Sequence, residues 1–328
     1  MASLVECVPN FSEGRRAEVV DALAEAVGTT PGVLLLDRTS DPDHNRSVLT
    51  FAGEADSVGR AMEAAVGVAL ARIDMERHEG QHPRIGAVDV IPFVPLGETR
   101  MEECVALARH FGARIAARFD LPVYLYAEAA TRPERRVLPD IRKPQYEGLK
   151  TLIAQPAWEP DYGPAALHPR GGAVAVGARP FLIAYNVNLD SEDVGLAKRI
   201  ANRIRERSGG LPRVQALGLF LDDLRCAQVS MNLLDFSVTP LWQLWETVGA
   251  LAAAEGVNVR ESELVGLAPV AALLEVAEHA GVAADGSLEE KITAAADWLR
   301  IRDFEPTRAL ELRLAEASGA VSGAAGGS

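Results

Sequence analysis

Along this chain, short apolar runs alternate with longer stretches in which apolar residues recur every three or four positions, and that alternation predicts strands and helices in turn. Leu4–Val8 reads as a strand broken by Pro9-Asn10, and a helical period follows from Arg15 to Val27. Val33–Asp37 is a buried strand after Pro31-Gly32; the turn-rich Ser40–Asn45 then leads into Ser47–Phe51, so the pair predicts a hairpin. A helical period returns over Ala55–Ile73, and Ala87–Val94 reads as the next strand. A helix at Met101–Phe119 and a strand at Pro122–Tyr126 extend this half.

From Ala127 to Gly177 prolines and glycines break the pattern, which marks a linker or a functional loop. Beyond it come a strand (Phe181–Leu189), a helix (Ser191–Arg207), two strands (Val214–Leu221 and Ala227–Leu234), a helix (Pro240–Glu255) and a strand (Glu263–Leu267). Each half thus runs β-α-β-β-α-β, the signature of a ferredoxin-like α/β sandwich. The fold class is therefore α+β, with two such subdomains flanking a substrate cleft or tunnel, 1–178 and 179–315. Helices at Val270–Ala280 and Leu288–Ile301 complete the second, and the Gly/Ala/Ser-rich residues 316–328 read as a mobile tail.

Composition narrows the function. A net charge of −13 with no basic run argues against nucleic acid, so an anionic ligand needs a local basic pocket. Cys7, Cys104 and Cys226 form no C-x-x-C pair, and neither a disulfide framework nor a zinc ribbon is implied. The N-terminal MASLVECVPNFSEGRR lacks the basic-then-apolar form of a secretory signal. No apolar run approaches the ~18–20 residues of a membrane span, so no membrane partner and a cytoplasmic location are expected.

The stretch HEGQHPR, His78–Arg84, contains H-E-x-x-H, which on a helix presents two imidazoles to one zinc ion. Gly80 weakens a helix here, and Pro83 drives His82 out of the α region. His82 is then an extended residue in a loop that opens onto a strand, with His78 at the end of the preceding helix; no metal is expected. A capping or solvated role is the bland reading for both histidines, and a general acid–base the sharper one for His82. His44, in the acidic turn, approaches the cleft in a less favoured reading.

Several stretches taken in order, LVECVPNFSEGR, DPDHNRSVLTF, EGQHPRIGAVDVIPFVPL, LPVYLYAEAA, DYGPAALHPRGGAVAVGARPFLIAYNVNL, AQVSMNLLDF and SELVGLAPVAALL, resemble glutamate formiminotransferase. The resemblance implies transfer of the formimino group of N-formimino-L-glutamate to N5 of tetrahydrofolate in histidine degradation. It further implies a homodimer, and a chain that lacks the cyclodeaminase domain of many vertebrate relatives. The family's catalytic histidine falls on His82. Its folate-binding loop falls on Gly163, Pro164, Ala165, Ala166, Leu167, His168, Pro169, Arg170, Gly171 and Gly172. Some relatives carry a carboxylate where this chain has Thr39; Asp37 is the candidate acid, with Asp41 and Asp43 nearby.

Formimino transfer needs one proton removed from the attacking nitrogen and one delivered to the leaving amine, which an imidazole titrating near neutrality performs in turn. Carboxylates of both substrates call for guanidinium forks, and Arg46, Arg84, Arg170 and Arg179 stand beside the matched stretches. Asn10 and Asn45 are weaker binding candidates, with turn-making as their alternative role. Three alternatives stay open: a folate one-carbon transferase with another formimino or formyl donor, a non-catalytic module that binds folate or an amino acid, and the zinc peptidase.

Overall fold

The structure is a computed structural model that describes residues 3–80, 82–283 and 285–325. Two compact units divide after Pro180. The first runs β1 (Ser3–Cys7), β2 (Asn10–Phe11), α1 (Ala17–Gly28), β3 (Val33–Asp41), β4 (Arg46–Gly53), α2 (Ala55–Arg72), β5 (Val88–Gly97), α3 (Met101–Phe119), β6 (Val123–Ala127), α4 (Leu138–Arg142), α5 (Gln145–Leu152) and β7 (Val174–Ala178). The second runs β8 (Ile183–Leu189), α6 (Val194–Ile204), β9 (Val214–Leu221), β10 (Cys226–Leu233), α7 (Leu241–Ala254), β11 (Val259–Val265), α8 (Val270–His279), α9 (Leu288–Trp298) and α10 (Leu310–Ala325).

The first unit is built on one seven-stranded sheet. β3 pairs with β4; β1 and then β2 lie between β4 and β5, all antiparallel. Pro9 sits between β1 and β2, where a residue without an N–H interrupts the ladder. β7 and β6 then add to β5 in parallel. Parallel strands are usually covered on both faces. Here one face carries the main core, with Leu23, Met62 and Phe111 from α1, α2 and α3, and the other carries a smaller cluster of Tyr124, Tyr126, Ile141 and Leu149.

That arrangement corrects the reading of 127–177 as a linker. Its last part is β7, an inner strand, and α4 and α5 help build the cluster on the second face. The run AVAVGA carries little strand signal because small residues are required there: a Cβ on Gly177 would overlap the Tyr126 ring.

The second unit has a four-stranded antiparallel sheet in the order β11-β8-β10-β9, packed on its own core of Tyr185, Val229, Leu244 and Leu273. The stretch read as a mobile tail from Glu316 instead continues α10 as far as Ala325, in keeping with alanine's helix preference once a helix is nucleated. Residues 326–328 lie outside the described ones.

Candidate functional site

The turn between β3 and β4 is made by side chains. Asp41 Oδ1 accepts the N–H groups of Asp43 and His44, both at 2.8 Å, and its Oδ2 lies 2.6 Å from His44 Nδ1. Asn45 adopts φ 49°, a left-handed conformation that asparagine tolerates. Its side chain joins three segments: Oδ1 accepts from the Gly14 N–H at 3.0 Å, and Nδ2 donates to the Glu79 carbonyl at 2.9 Å.

The HEGQHPR segment therefore lies against the hairpin tip. A Cβ on Gly80 would overlap the His44 carbonyl oxygen, so this close approach requires glycine. α2 ends at Arg72, and His78 sits in irregular chain rather than at the helix end expected for it. Both its ring nitrogens are engaged: Nε2 donates to the Asn45 carbonyl at 3.0 Å, and Nδ1 accepts from Arg84 Nε at 3.1 Å. Burial lowers its pKa, in agreement with a neutral ring. A histidine so occupied and off a helix cannot pair with His82 in the H-E-x-x-H manner.

Arg84 is held on all sides. Its side chain is 8% exposed, and Nη2 and Nη1 fork onto Glu147 at 2.6 and 2.9 Å. Beyond it the chain is fixed by Ser12 Oγ donating to the Gly86 carbonyl at 2.7 Å and by the Ile85 N–H donating to Asp89 Oδ1 at 2.9 Å. The other Asp89 oxygen pairs with Arg142.

His82, His44, Arg46 and Asp89 line one narrow recess, with room for about 10 Å³ of water-sized contents. The His82 and His44 rings meet edge to face at 6.1 Å between centroids. Burial, then the guanidinium groups of Arg46 and Arg142, push the His82 pKa down to about 3, so the ring is neutral at physiological pH. Arg46 is itself lowered to about 10, first by burial and then by Arg142. The Nε of Arg46 and that of Arg142 are buried without a hydrogen-bond partner among the described residues. Orphaned cationic donors beside a neutral imidazole suit an anionic ligand.

Residues 163–172 form a tight loop. Gly163 and Gly172 take φ of 86° and 69°, and His168 and Gly172 exchange two backbone hydrogen bonds of 3.0 Å. Its end pairs with the strand entry that follows HEGQHPR: the Ala87 N–H donates to the Gly171 carbonyl at 2.8 Å and the Ala173 N–H to Ile85 at 3.0 Å. The two motifs are thus neighbours in space. Beside the loop, Ala165–Pro169 and Tyr146, Lys150 and Glu76 border a wider recess of about 330 Å³.

Family comparison agrees with this convergence of motifs. Residues 4–179 match the formiminotransferase domain, N-terminal subdomain, and residues 184–307 match the formiminotransferase domain. The chain belongs to the formiminotransferase family. It is 48% identical over 279 residues to the glutamate formimidoyltransferase of Thermoplasma acidophilum, covering 84% of this chain and 92% of that one. The enzyme of the same name from Streptococcus pyogenes serotype M1 is 45% identical over 279 residues, covering 85% and 93%. The formimidoyltransferase-cyclodeaminase of Gallus gallus is 49% identical over 284 residues, which cover 85% of this chain and 52% of that protein.

Of the residues singled out from the formiminotransferase motifs, His82, Arg46, Asn45 and Arg84 gather at the narrow recess. Asn45 and Arg84 are occupied in holding it together. Asp37 stands on β3 opposite Thr50 and is not among the residues lining the recess. Asn10 donates to the Val8 carbonyl at 3.0 Å and leaves its buried Oδ1 without a partner among the described residues. Arg179 follows β7, where its N–H donates to the Phe93 carbonyl at 3.1 Å and its guanidinium to Pro180 at 3.0 Å. Arg170 is half exposed, 3.7 Å from Asp74, while the His168 ring turns inward to accept the Gly171 N–H at 2.8 Å. Sequence reasoning passed over Ser12, Asp89, Arg142 and Glu147. Asp89 carried a signal, a lone carboxylate inside the apolar run AVDVIPFV; Arg142, in a five-residue helix, carried none.

Proposed function

We propose that this chain transfers the formimino group of N-formimino-L-glutamate to N5 of tetrahydrofolate, giving 5-formiminotetrahydrofolate and L-glutamate, as a step of histidine degradation. The observation that carries the reading is a half-buried, neutral His82 in the same recess as Arg46, whose buried Nε has no partner among the described residues, in a chain whose relatives are named glutamate formimidoyltransferase. Folate N5 attacks the amidine carbon of the donor. The neutral imidazole takes the proton that N5 loses; a guanidinium donor beside it suits a donor carboxylate. Tetrahydrofolate is the co-substrate, and residues 163–172 with the wider recess beside them offer it a rigid loop and an opening of adequate size.

For His82 to return a proton to the leaving amine, its pKa must rise from about 3, and a bound carboxylate does that by offsetting Arg46 and Arg142. We also place the enzyme in the cytoplasm as a homodimer; among the described residues no helix is long and apolar enough to cross a membrane. The test is incubation with formiminoglutamate and tetrahydrofolate, followed by acid and measurement of methenyl-folate absorbance. Turnover that falls ~10²–10⁴-fold in His82→Ala, with folate binding kept, supports the reading. A wild-type protein that binds folate and transfers nothing makes it a binding module, and turnover with a formyl donor alone makes it a different transferase.

A further inference from the structure

Thr39 offers no carboxylate to His82, and the candidate Asp37 does not line the recess. What the hairpin tip does hold is a second imidazole with its own acid. Asp41 grips the turn through Oδ1 and faces His44 Nδ1 through Oδ2 at 2.6 Å. With Nδ1 so engaged, Nε2 is the nitrogen His44 has left for a ligand. His44 lines the same recess as His82, with ring centroids 6.1 Å apart and planes at 89°.

The two rings stand in different surroundings. His82 is half-buried, and the cations of Arg46 and Arg142 lower its pKa. His44 keeps 44% of its side chain exposed and meets a carboxylate. The titratable groups around it include Asp43 in its own turn, Arg46 at the start of β4, and His78, His82, Arg84 and Asp89, which line the same recess. A cationic environment keeps the His82 ring unprotonated, with a free lone pair, although it weakens that ring as a base; the Asp41 carboxylate on Nδ1 leaves Nε2 as the nitrogen through which His44 can pass a proton to a ligand.

We infer that His44 is a second catalytic residue of the transfer, held by Asp41 as the acid that protonates the departing glutamate nitrogen while His82 takes the proton of the attacking folate nitrogen. The inference rests on the formimino-transfer reading above. The balance closes: the bond from N5 to the formimino carbon forms, N5 gives its proton to His82, the bond from that carbon to the glutamate nitrogen breaks, and that nitrogen receives the proton of His44. Solvent then returns a proton to His44 and removes one from His82. The division of labour relieves His82 of the acid step.

The test compares kcat, KM and the pH–rate profile of the wild type, His44→Ala and Asp41→Asn. Asparagine retains an acceptor for the turn N–H groups, so Asp41→Asn separates the proton role from the fold of the turn. The expected result for His44→Ala is a kcat ~10²-fold lower at unchanged KM, loss of the alkaline limb of the profile, and partial rescue by added imidazole. In Asp41→Asn the alkaline limb moves to lower pH. A His44→Ala enzyme with full kcat, or with a lowered kcat whose limb persists and which imidazole does not rescue, overturns the role of His44 and leaves the transfer reading intact. A wild type that transfers nothing overturns both.

Discussion

Replacing His82 with glutamine measures how firmly the recess excludes a proton. The folded-state pKa is about 3, against 6.5 for an unperturbed imidazole, with burial first and then Arg46 and Arg142 as the cause. Between those values the unfolded chain binds one proton more than the native one. Stability from this group is therefore present above about pH 6.5 and is lost as pH falls toward 3, with a slope of about 1.4 kcal/mol per pH unit. From pH 7 to pH 5 the wild type loses about 2 kcal/mol through His82 alone. His44 and the carboxylates remain in both proteins and cancel in the comparison. Urea unfolding at pH 7, 6 and 5 gives the difference between wild type and His82→Gln, which should shift by that amount in favour of the variant as pH falls. Parallel stability curves would refute the reasoning, because they would mean that the folded recess takes up a proton as readily as the open chain does.

Two further substitutions separate structural from ligand-binding roles. Arg84→Met removes the fork onto Glu147 and the bond to His78, and because Glu147 is 63% exposed and rehydrates, the cost is about 2–3 kcal/mol rather than that of a fully buried pair. The thermal midpoint of the first unit should fall by about 5–10 °C; an unchanged midpoint with a raised KM would make Arg84 a substrate ligand instead. Gly172→Ala places a side chain at φ 69° and against the Ile85 carbonyl, a strain of about 1–3 kcal/mol. Calorimetric titration should show weaker folate binding, and unaltered folate affinity with unaltered stability would remove the loop from the site.

The fold was legible where a single period governed a long stretch. Met101–Phe119 is a helix with the expected bounds, and Val214–Leu221 is a strand with the expected bounds, because each repeats its pattern over many residues. β7 was not legible, since its packing depends on the Tyr126 ring of the neighbouring strand β6, far away in sequence, and Ala and Gly are poor strand formers by themselves. α4 was hidden for a related reason: five residues cannot express a helical period, yet they carry Arg142 to the Asp89 carboxylate. At the site, Pro83 and Gly80 correctly took His82 off a helix. Which acid stands beside which histidine was beyond the letters, because Asp37, Asp41 and Asp43 differ by one turn of a hairpin and only the bonds within that turn assign Asp41 to His44.

The chain carries a net charge of −13, and the proposed substrates are anions, so long-range attraction cannot be what gathers them. Screening confines the repulsion to within roughly 8 Å of each surface charge at physiological ionic strength. Inside the recess the balance reverses, because Arg46 lines it and keeps a buried Nε donor without a partner among the described residues. The cost of stripping water from that group is met when the chain folds, through the contacts that tie Asn45, Ser12, Asp89 and Arg84 together. An entering carboxylate then gains hydrogen bonds without having to dehydrate its partner. The same event weakens the cationic field on His82 and raises its pKa, so occupancy by the donor and readiness of the imidazole to hold a proton are one electrostatic change. Arg46→Met should therefore weaken donor binding and raise the His82 pKa in the free protein together, and the latter is readable from the histidine ring resonances by NMR titration; a lower affinity with an unmoved His82 resonance would break the link.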